Sequence, residues 1–321
     1  MPVKIMIDDP YDGAGGVAQY YTRMVKAVAR HGMTLEHERL SEVARCNPKT
    51  DLLIVINQEA ANIPSEFAVI AKNAGPALET GIRSGSQWMM ELAGRQLIAA
   101  RRPRTFWVAS SASAAYFFAR HTGRRADRII HGACDTDRFI PSDRQRMRQA
   151  KVPVVYHSCS DENKGDSLME VMLKAADGSF EYRRLQCPHA EVPTVLREGD
   201  LWLCLSAQEG GPLTTMEAMS VGLIPVTTDV GFFWDKGVGD PVPSRADGII
   251  GWRNTQLGGV VFDWKLRSFS GIVHDFIYGA WANRATLDPR AYALRWFNMD
   301  LFGQKWIEAI VEAAKRLEIA L

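Results

Sequence analysis

The sequence lacks any long apolar run. None of its stretches approaches the ~20 residues that a membrane-spanning helix requires. It lacks an excess of charge: 38 Lys and Arg against 37 Asp and Glu leave a formal net charge of +1. That balance argues against a protein that wraps nucleic acid by bulk charge. Cysteine is scarce and scattered. Cys46, Cys134, Cys159, Cys187 and Cys204 are odd in number and form no C-x-x-C pair. A disulfide frame and a zinc knuckle are therefore excluded, and the thiols read as small buried hydrophobes in a reducing cytoplasm. The opening M-P-V-K-I-M-I-D-D meets acids too early for a secretory leader. No internal repeat or low-complexity segment stands out. What remains is a globular chain of 321 residues, 46% hydrophobic and 23% charged, enough for one large or two ordinary domains. Its core can be sizeable without a metal or disulfide staple.

One stretch organises the rest. Residues 206–231 read S-A-Q-E-G-G-P-L-T-T-M-E-A-M-S-V-G-L-I-P-V-T-T-D-V-G. The apolar run before it, 201–205, predicts a buried parallel strand, and 223–228 predicts the next one. Between them, 213–221 carries good helix formers and neither Gly nor Pro. The unit is strand, glycine loop, helix, strand. Pro212 suits the first helical position, where its missing N–H costs nothing. Gly210 and Gly211 let the backbone turn tightly and approach a ligand. The amides of Leu213, Thr214 and Thr215 then point out of the helix start, which is an anion site suited to phosphate. Glu209 in the loop and Glu217 on the helix would repel a diphosphate placed on them. Their natural partners are hydroxyls, since a carboxylate accepts hydrogen bonds and can take two from a diol. A sugar at one end, a ribose at the other and a diphosphate between them outline a nucleotide sugar.

Glu209 and Glu217, with seven residues between them, resemble the E-x7-E signature of retaining glycosyltransferases of the GT-B fold, in particular family 4. The flanks, E-G-G-P-L-T-T-M-E-A-M-S-V-G-L-I-P-V, are close to that family's pattern. The resemblance implies that Glu209 meets the donor sugar, that Glu217 meets the ribose, and that the amides from Gly211 to Thr215 meet sugar and diphosphate. Near the N-terminus, a strand at 3–7, the loop D-D-P-Y-D-G-A-G-G and a helix over 17–30 resemble the family's G-G loop. That loop does not complete the dinucleotide fingerprint G-x-G-x-x-G. Gly15, Gly16 and, one turn on, Gln19 would face the cleft on the acceptor side. Residues 129–141, I-I-H-G-A-C-D-T-D-R-F-I-P, resemble the segment that closes the family's N-terminal domain. Lys164-Gly165, in S-C-S-D-E-N-K-G, resembles its donor-binding K-G. There the lysine offsets the charge growing on the leaving nucleotide, helped by an arginine five residues earlier. Here that position is Cys159, a departure. The histidine many relatives carry in mid N-domain has no counterpart among the seven His.

The implied fold is α/β: two doubly wound, Rossmann-like domains facing a cleft, with C-terminal helices crossing back to the first. The expected limits are 1–145 for the acceptor-side domain, 146–290 for the nucleotide-sugar domain and 291–321 for the crossover helices. Residues 141–151, polar with four basic side chains, read as the linker. The expected activity is transfer of a sugar from a nucleotide diphosphate donor, such as a UDP- or GDP-sugar, to a hydroxyl of a glycan or lipid-linked acceptor. Glu209 and Lys164 would be the catalytic pair. No metal or other cofactor is expected, because protein groups supply the positive charge. Residues 83–128 hold nine arginines against two acids, interleaved with aromatics, and Arg101, Arg102 and Arg104 are the densest part. That patch predicts either a solvated face or peripheral contact with anionic lipid at the inner membrane face. Two alternatives stay open: a GT-B scaffold that binds a nucleotide sugar or a partner without turnover, and a GT-B epimerase.

Overall fold

The structure is a computed structural model that describes residues 3–6, 16–142, 152–176, 178–234, 240–243, 250–254 and 257–319. Gly15 and most of the expected linker fall outside these residues. Contacts divide the chain into two compact units. The first is Met1–Ala133 with Glu209–Gly211 and Met299–Leu321, and the second is Cys134–Gln208 with Pro212–Asn298. The break at Ala133 precedes the limit at 145 that the polar composition indicated.

The first unit runs β1 (Val3–Met6), α1 (Gly16–Ala29), β2 (Leu35–Glu38), β3 (Leu52–Ile56), β4 (Ala68–Asn73), α2 (Ala77–Ser84), α3 (Gln87–Ala100), β5 (Thr105–Ala109), α4 (Ala112–Thr122) and β6 (Arg128–Ile129). Its strands form one sheet in the order β2-β1-β3-β4-β5-β6, every pair parallel. L-L-I-V-I and T-F-W-V-A are apolar throughout because both faces of a parallel sheet are covered. Ser86 and Ser111 cap α3 and α4 by accepting from Met89 N and Ala114 N, which fixes where each helix begins.

The second unit runs β7 (Val154–His157), α5 (Asp166–Ala175), β8 (Glu181–Arg184), α6 (Val192–Leu196), β9 (Leu201–Cys204), α7 (Leu213–Ser220), β10 (Ile224–Thr228), β11 (Asp240–Pro243), β12 (Ile250–Asn254), β13 (Gly259–Phe262), α8 (Ser270–Ala282) and α9 (Pro289–Trp296). The order is β11-β12-β13-β10-β9-β7-β8. The strands from β13 to β8 pair in parallel, and β11 and β12 extend the edge in antiparallel fashion. Side chains of β9 alternate between the two faces. Trp202 and Cys204 join Met216 and Met219 of α7 in one core, and Leu201 and Leu203 join Met169, Phe276 and Ile277 of α5 and α8 in the other. From β7 the chain moves to β8 on one side and later to β9 on the other. The switch point of this sheet therefore lies between β7 and β9, the place where doubly wound sheets bind ligands.

The C-terminal helical stretch breaks at Phe297. Its ring packs against Phe232 and Tyr292, and its carbonyl accepts from Cys134 N at 2.7 Å, so α9 stays with the second unit. The last helix, α10 (Met299–Arg316), packs on α1 of the first. Gly303 makes that possible: a Cβ there would lie 2.4 Å from Ala27 O. Trp306 Nε1 donates to Tyr20 Oη at 3.2 Å, and Phe302 meets the Tyr20 ring edge-on at 5.2 Å.

One of the three densest arginines is not on the surface. Arg102 is 7% exposed and donates to the carbonyls of Ile63, Pro64 and Phe67. It is a strut inside the first unit, because its five N–H groups satisfy loop carbonyls that would otherwise be buried without partners. Arg104 is engaged with Leu317 O, and Arg101 is exposed. Among the described residues no helix is long and apolar enough to cross a membrane.

Candidate functional site

Two loops meet at the switch point of the second sheet. In the loop after β7, the Asp161 carboxylate accepts from Lys164 N at 3.0 Å and closes the single turn Glu162–Lys164. Gly165 follows at φ 81°, a left-handed conformation that favours glycine. A Cβ there would also press on Leu205, at 3.0 Å. In the loop after β9, Ala207 N donates to Asn163 O at 2.6 Å, and Asn163 Nδ2 donates to Gln208 O at 2.9 Å. Arg267, from the segment after β13, donates through Nη1 to Asn163 O and Leu205 O at 3.0 and 2.7 Å. The backbone carrying the half-buried Lys164 is thus fixed from two sides. Nothing in the sequence singled out Arg267; it lies far along the chain, and the main-chain carbonyls it meets are partners that a residue pattern does not display.

The second loop leads into α7. Pro212 caps this helix with no side-chain hydrogen bond. Among the described residues the amides of Leu213 and Thr214 donate to no acceptor. Thr215 departs from the expected trio, since its N–H bonds to Pro212 O at 3.1 Å. Its hydroxyl accepts from Trp202 Nε1 at 2.9 Å and is buried. Thr215 therefore holds the helix start, and its amide is not among those that point out of it. That leaves the amides of Leu213 and Thr214 as the N–H groups at the helix N-terminus, a kind of terminus that suits an anion.

Glu217, one turn into α7, is 3% exposed. His189, in the turn between β8 and α6, donates from Nε2 to Glu217 Oε1 at 3.0 Å. Sequence reading passed over His189, because only the pairing of β8 with β7 brings its turn to the same sheet edge. Glu209 is half-buried and, with Gly210 and Gly211, groups with the first unit. At Gly210 a Cβ would lie 1.6 Å from Ala74 O, so only glycine fits. Gly16 and Gln19 occupy the first turn of α1 in the first unit.

Cys159 does not look toward a ligand. It is 2% exposed, within the core of Met169, Met172, Leu203 and Leu205, and burial pushes its thiol up to about 12. A cation packed where this thiol lies would be buried without a partner. His157, at the end of β7, is also buried. Desolvation, then the nearby Arg184, pushes its pKa down to about 4, and its Nδ1 finds no partner among the described residues. In the first unit Lys72 is 4% exposed, with Nζ 3.7 Å from the Tyr20 ring centroid, and desolvation lowers its pKa to about 7. Asp135-Thr136-Asp137 spells D-x-D, a pattern that often marks metal sites. Here the Asp135 carbonyl accepts from Arg138 N and Phe139 N and closes a turn. Among the described residues no group of three or more His, Cys, Asp and Glu is placed to hold a metal.

Comparison with solved structures shows the fold. Sucrose-phosphate synthase from Thermosynechococcus elongatus superposes with a TM-score of 0.73 at 11% identity, covering 97% of this chain and 98% of that one. Anabaena HepE in complex with UDP-glucose gives 0.68 at 14% identity, covering 97% and 100%. The catalytic domain of starch synthase IV from Arabidopsis thaliana, bound to ADP and acarbose, gives 0.65 at 12% identity, covering 98% and 99%. The fold is GT-B, the architecture of these glycosyltransferases. Among curated proteins, the "Putative glycosyltransferase ORF330" of Acidianus filamentous virus 2 is 24% identical over 107 residues. That match spans 33% of this chain and 32% of ORF330. No protein-family model matches the chain.

Proposed function

We propose that this protein is a retaining glycosyltransferase of the family 4 type, which moves a sugar from a nucleotide diphosphate donor to an acceptor hydroxyl. One observation carries the reading. At the switch point of the second sheet, the Lys164-Gly165 turn is bonded to the loop that opens α7, and that helix offers two amides and the buried Glu217. The neighbours bound to UDP-glucose and to ADP support a nucleotide as the guest. Lys164 and the amides of Leu213 and Thr214 would hold the diphosphate and stabilise the charge it gains on leaving. Glu217 would take the ribose hydroxyls and Glu209 those of the sugar, fixing its pose. The positive charge comes from the protein, so activity should survive EDTA. Complete loss on chelation, restored by Mg²⁺ or Mn²⁺, would count against the reading.

The deciding experiment measures donor consumption and nucleotide affinity with the same protein. Lys164 acts on developing charge, so Lys164→Ala should cut turnover by about 10²-fold. Glu209→Ala should cut turnover too, yet leave affinity for free UDP or ADP nearly intact, since a free nucleotide has no sugar to hold. Folded variants that consume donor like wild type would sink the proposal. The burial of Cys159 favours a second reading, a scaffold that binds without turnover, because the leaving group then has one cation fewer. Donor binding with no consumption by water or by any glycan or lipid-linked acceptor would establish it.

A further inference from the structure

We infer that His189 is a positioning residue that fixes the Glu217 carboxylate for a ribose diol, so that the pair sets a preference for ribonucleotides over deoxyribonucleotides. The inference rests on the donor-site reading above. Glu217 is a buried carboxylate on a helix of mostly apolar, buried neighbours. Such a group costs several kcal/mol unless it is hydrogen-bonded. His189 provides a bond from a different element, at 3.0 Å. A carboxylate only accepts, so Nε2 carries the proton and the ring orients Oε1.

The turn that carries His189 is itself held. Arg138 Nη2 donates to His189 O and Ala190 O, each at 2.9 Å. The His189 ring lies 6.4 Å from that of Phe139, centroid to centroid. Arg138 thus pins the turn, the turn places His189, and His189 orients Glu217. The turn lies at the C-terminal end of β8, on the same sheet edge as Lys164 and the start of α7. A pair kept only for stability would need no such placement. Reading a diol does need it, because two hydroxyls at fixed spacing demand a carboxylate in one rotamer.

The test titrates the full chain with UDP, GDP, ADP and the 2′-deoxy form of each by calorimetry. It uses wild type, Glu217→Ala, His189→Phe, His189→Gln and His189→Asn, each checked for folding by circular dichroism. Wild type should prefer the ribo form of the base it binds by roughly tenfold or more, the worth of a charge-assisted hydrogen bond. Glu217→Ala should bring the ratio near one. His189→Phe keeps a ring but no donor and should do the same. His189→Asn, too short to reach Oε1, should follow it and serves where the Phe variant does not fold. His189→Gln places an amide N–H near the Nε2 position and should keep most of the ratio. A loss of melting temperature alone, with the ratio unchanged in the Phe and Asn variants while Glu217→Ala abolishes it, would overturn the role of His189 and leave the donor site standing. Equal loss in the Gln and Phe variants would also overturn it. If wild type binds none of the six nucleotides, or Glu217→Ala binds them like wild type, the donor-site reading itself falls.

Discussion

His157 and Lys72 are buried titratable side chains whose ordinary charge the fold resists, and both make stability depend on pH. His157 has its pKa pushed down to about 4 by burial. Below pH 6.5 the unfolded chain binds a proton there, while the folded chain does not until about pH 4. Stability should therefore be lost as pH falls through that window, by on the order of 1 kcal/mol at pH 5. Urea unfolding at pH 7 and 5 should show a smaller loss in His157→Phe than in wild type; equal losses would show that other groups set the acid limb. Lys72 works at the opposite end. Its pKa falls from 10.5 to about 7, so between those values the unfolded chain holds a proton that the folded chain has given up. Stability from this group rises with pH across that window. Lys72→Met should stabilise the protein at pH 7 by ~1 kcal/mol or more, with the gain shrinking toward pH 10. A gain independent of pH would refute that account.

At the scale of elements, the turn at Glu162–Lys164 and the start of α7 depend on backbone that only certain residues adopt. Gly165 sits at φ 81° beneath Leu205. Gly165→Ala combines a positive φ with a tight Cβ contact and should cost about 1–2 kcal/mol. Because Lys164 precedes it, affinity for nucleotide should fall in the same variant. Unchanged melting temperature and unchanged UDP or ADP affinity would show that the turn tolerates a side chain. Much of this element was legible in the sequence. Strand, glycine loop and helix over 201–220 follow from local pattern, and so do Pro212 at the helix start and the glutamate spacing. The role of Thr215 was not legible, because its hydroxyl is taken by Trp202, a partner chosen by packing across the α7 and β9 core.

At the scale of the molecule, α10 is separated from α1 by nearly the whole chain yet covers it. Tyr20, Met24 and Ala27 on α1 are buried where α10 packs. Ending the chain at Asn298 strips the Trp306 and Phe302 contacts from Tyr20 and exposes that apolar face. The truncated protein should show early protease cleavage within α1 and loss of its cooperative thermal transition. A truncation that melts like the full chain and resists cleavage would show that α10 is dispensable to the first unit.

The sequence by itself determined the alternation of buried strands and helices, because continuous apolar runs bounded by glycine, proline and polar turns have one economical arrangement: parallel sheets covered on both faces. It also determined the glutamate-bracketed loop, since those residues lie within one strand–turn–helix unit and need no distant partner to be recognised. Only the tertiary structure decided what surrounds them. Cys159, at the position where the resemblance asks for arginine, is buried in the core just beyond the end of β7. Arg102 is drawn inward by carbonyls that a linear pattern does not display. His189 reaches Glu217 because β8 pairs with β7, and Arg267 braces the Lys164 loop from beyond β13. Each of these depends on which backbone groups are left unsatisfied after the sheets form, a quantity that exists only once the chain has packed.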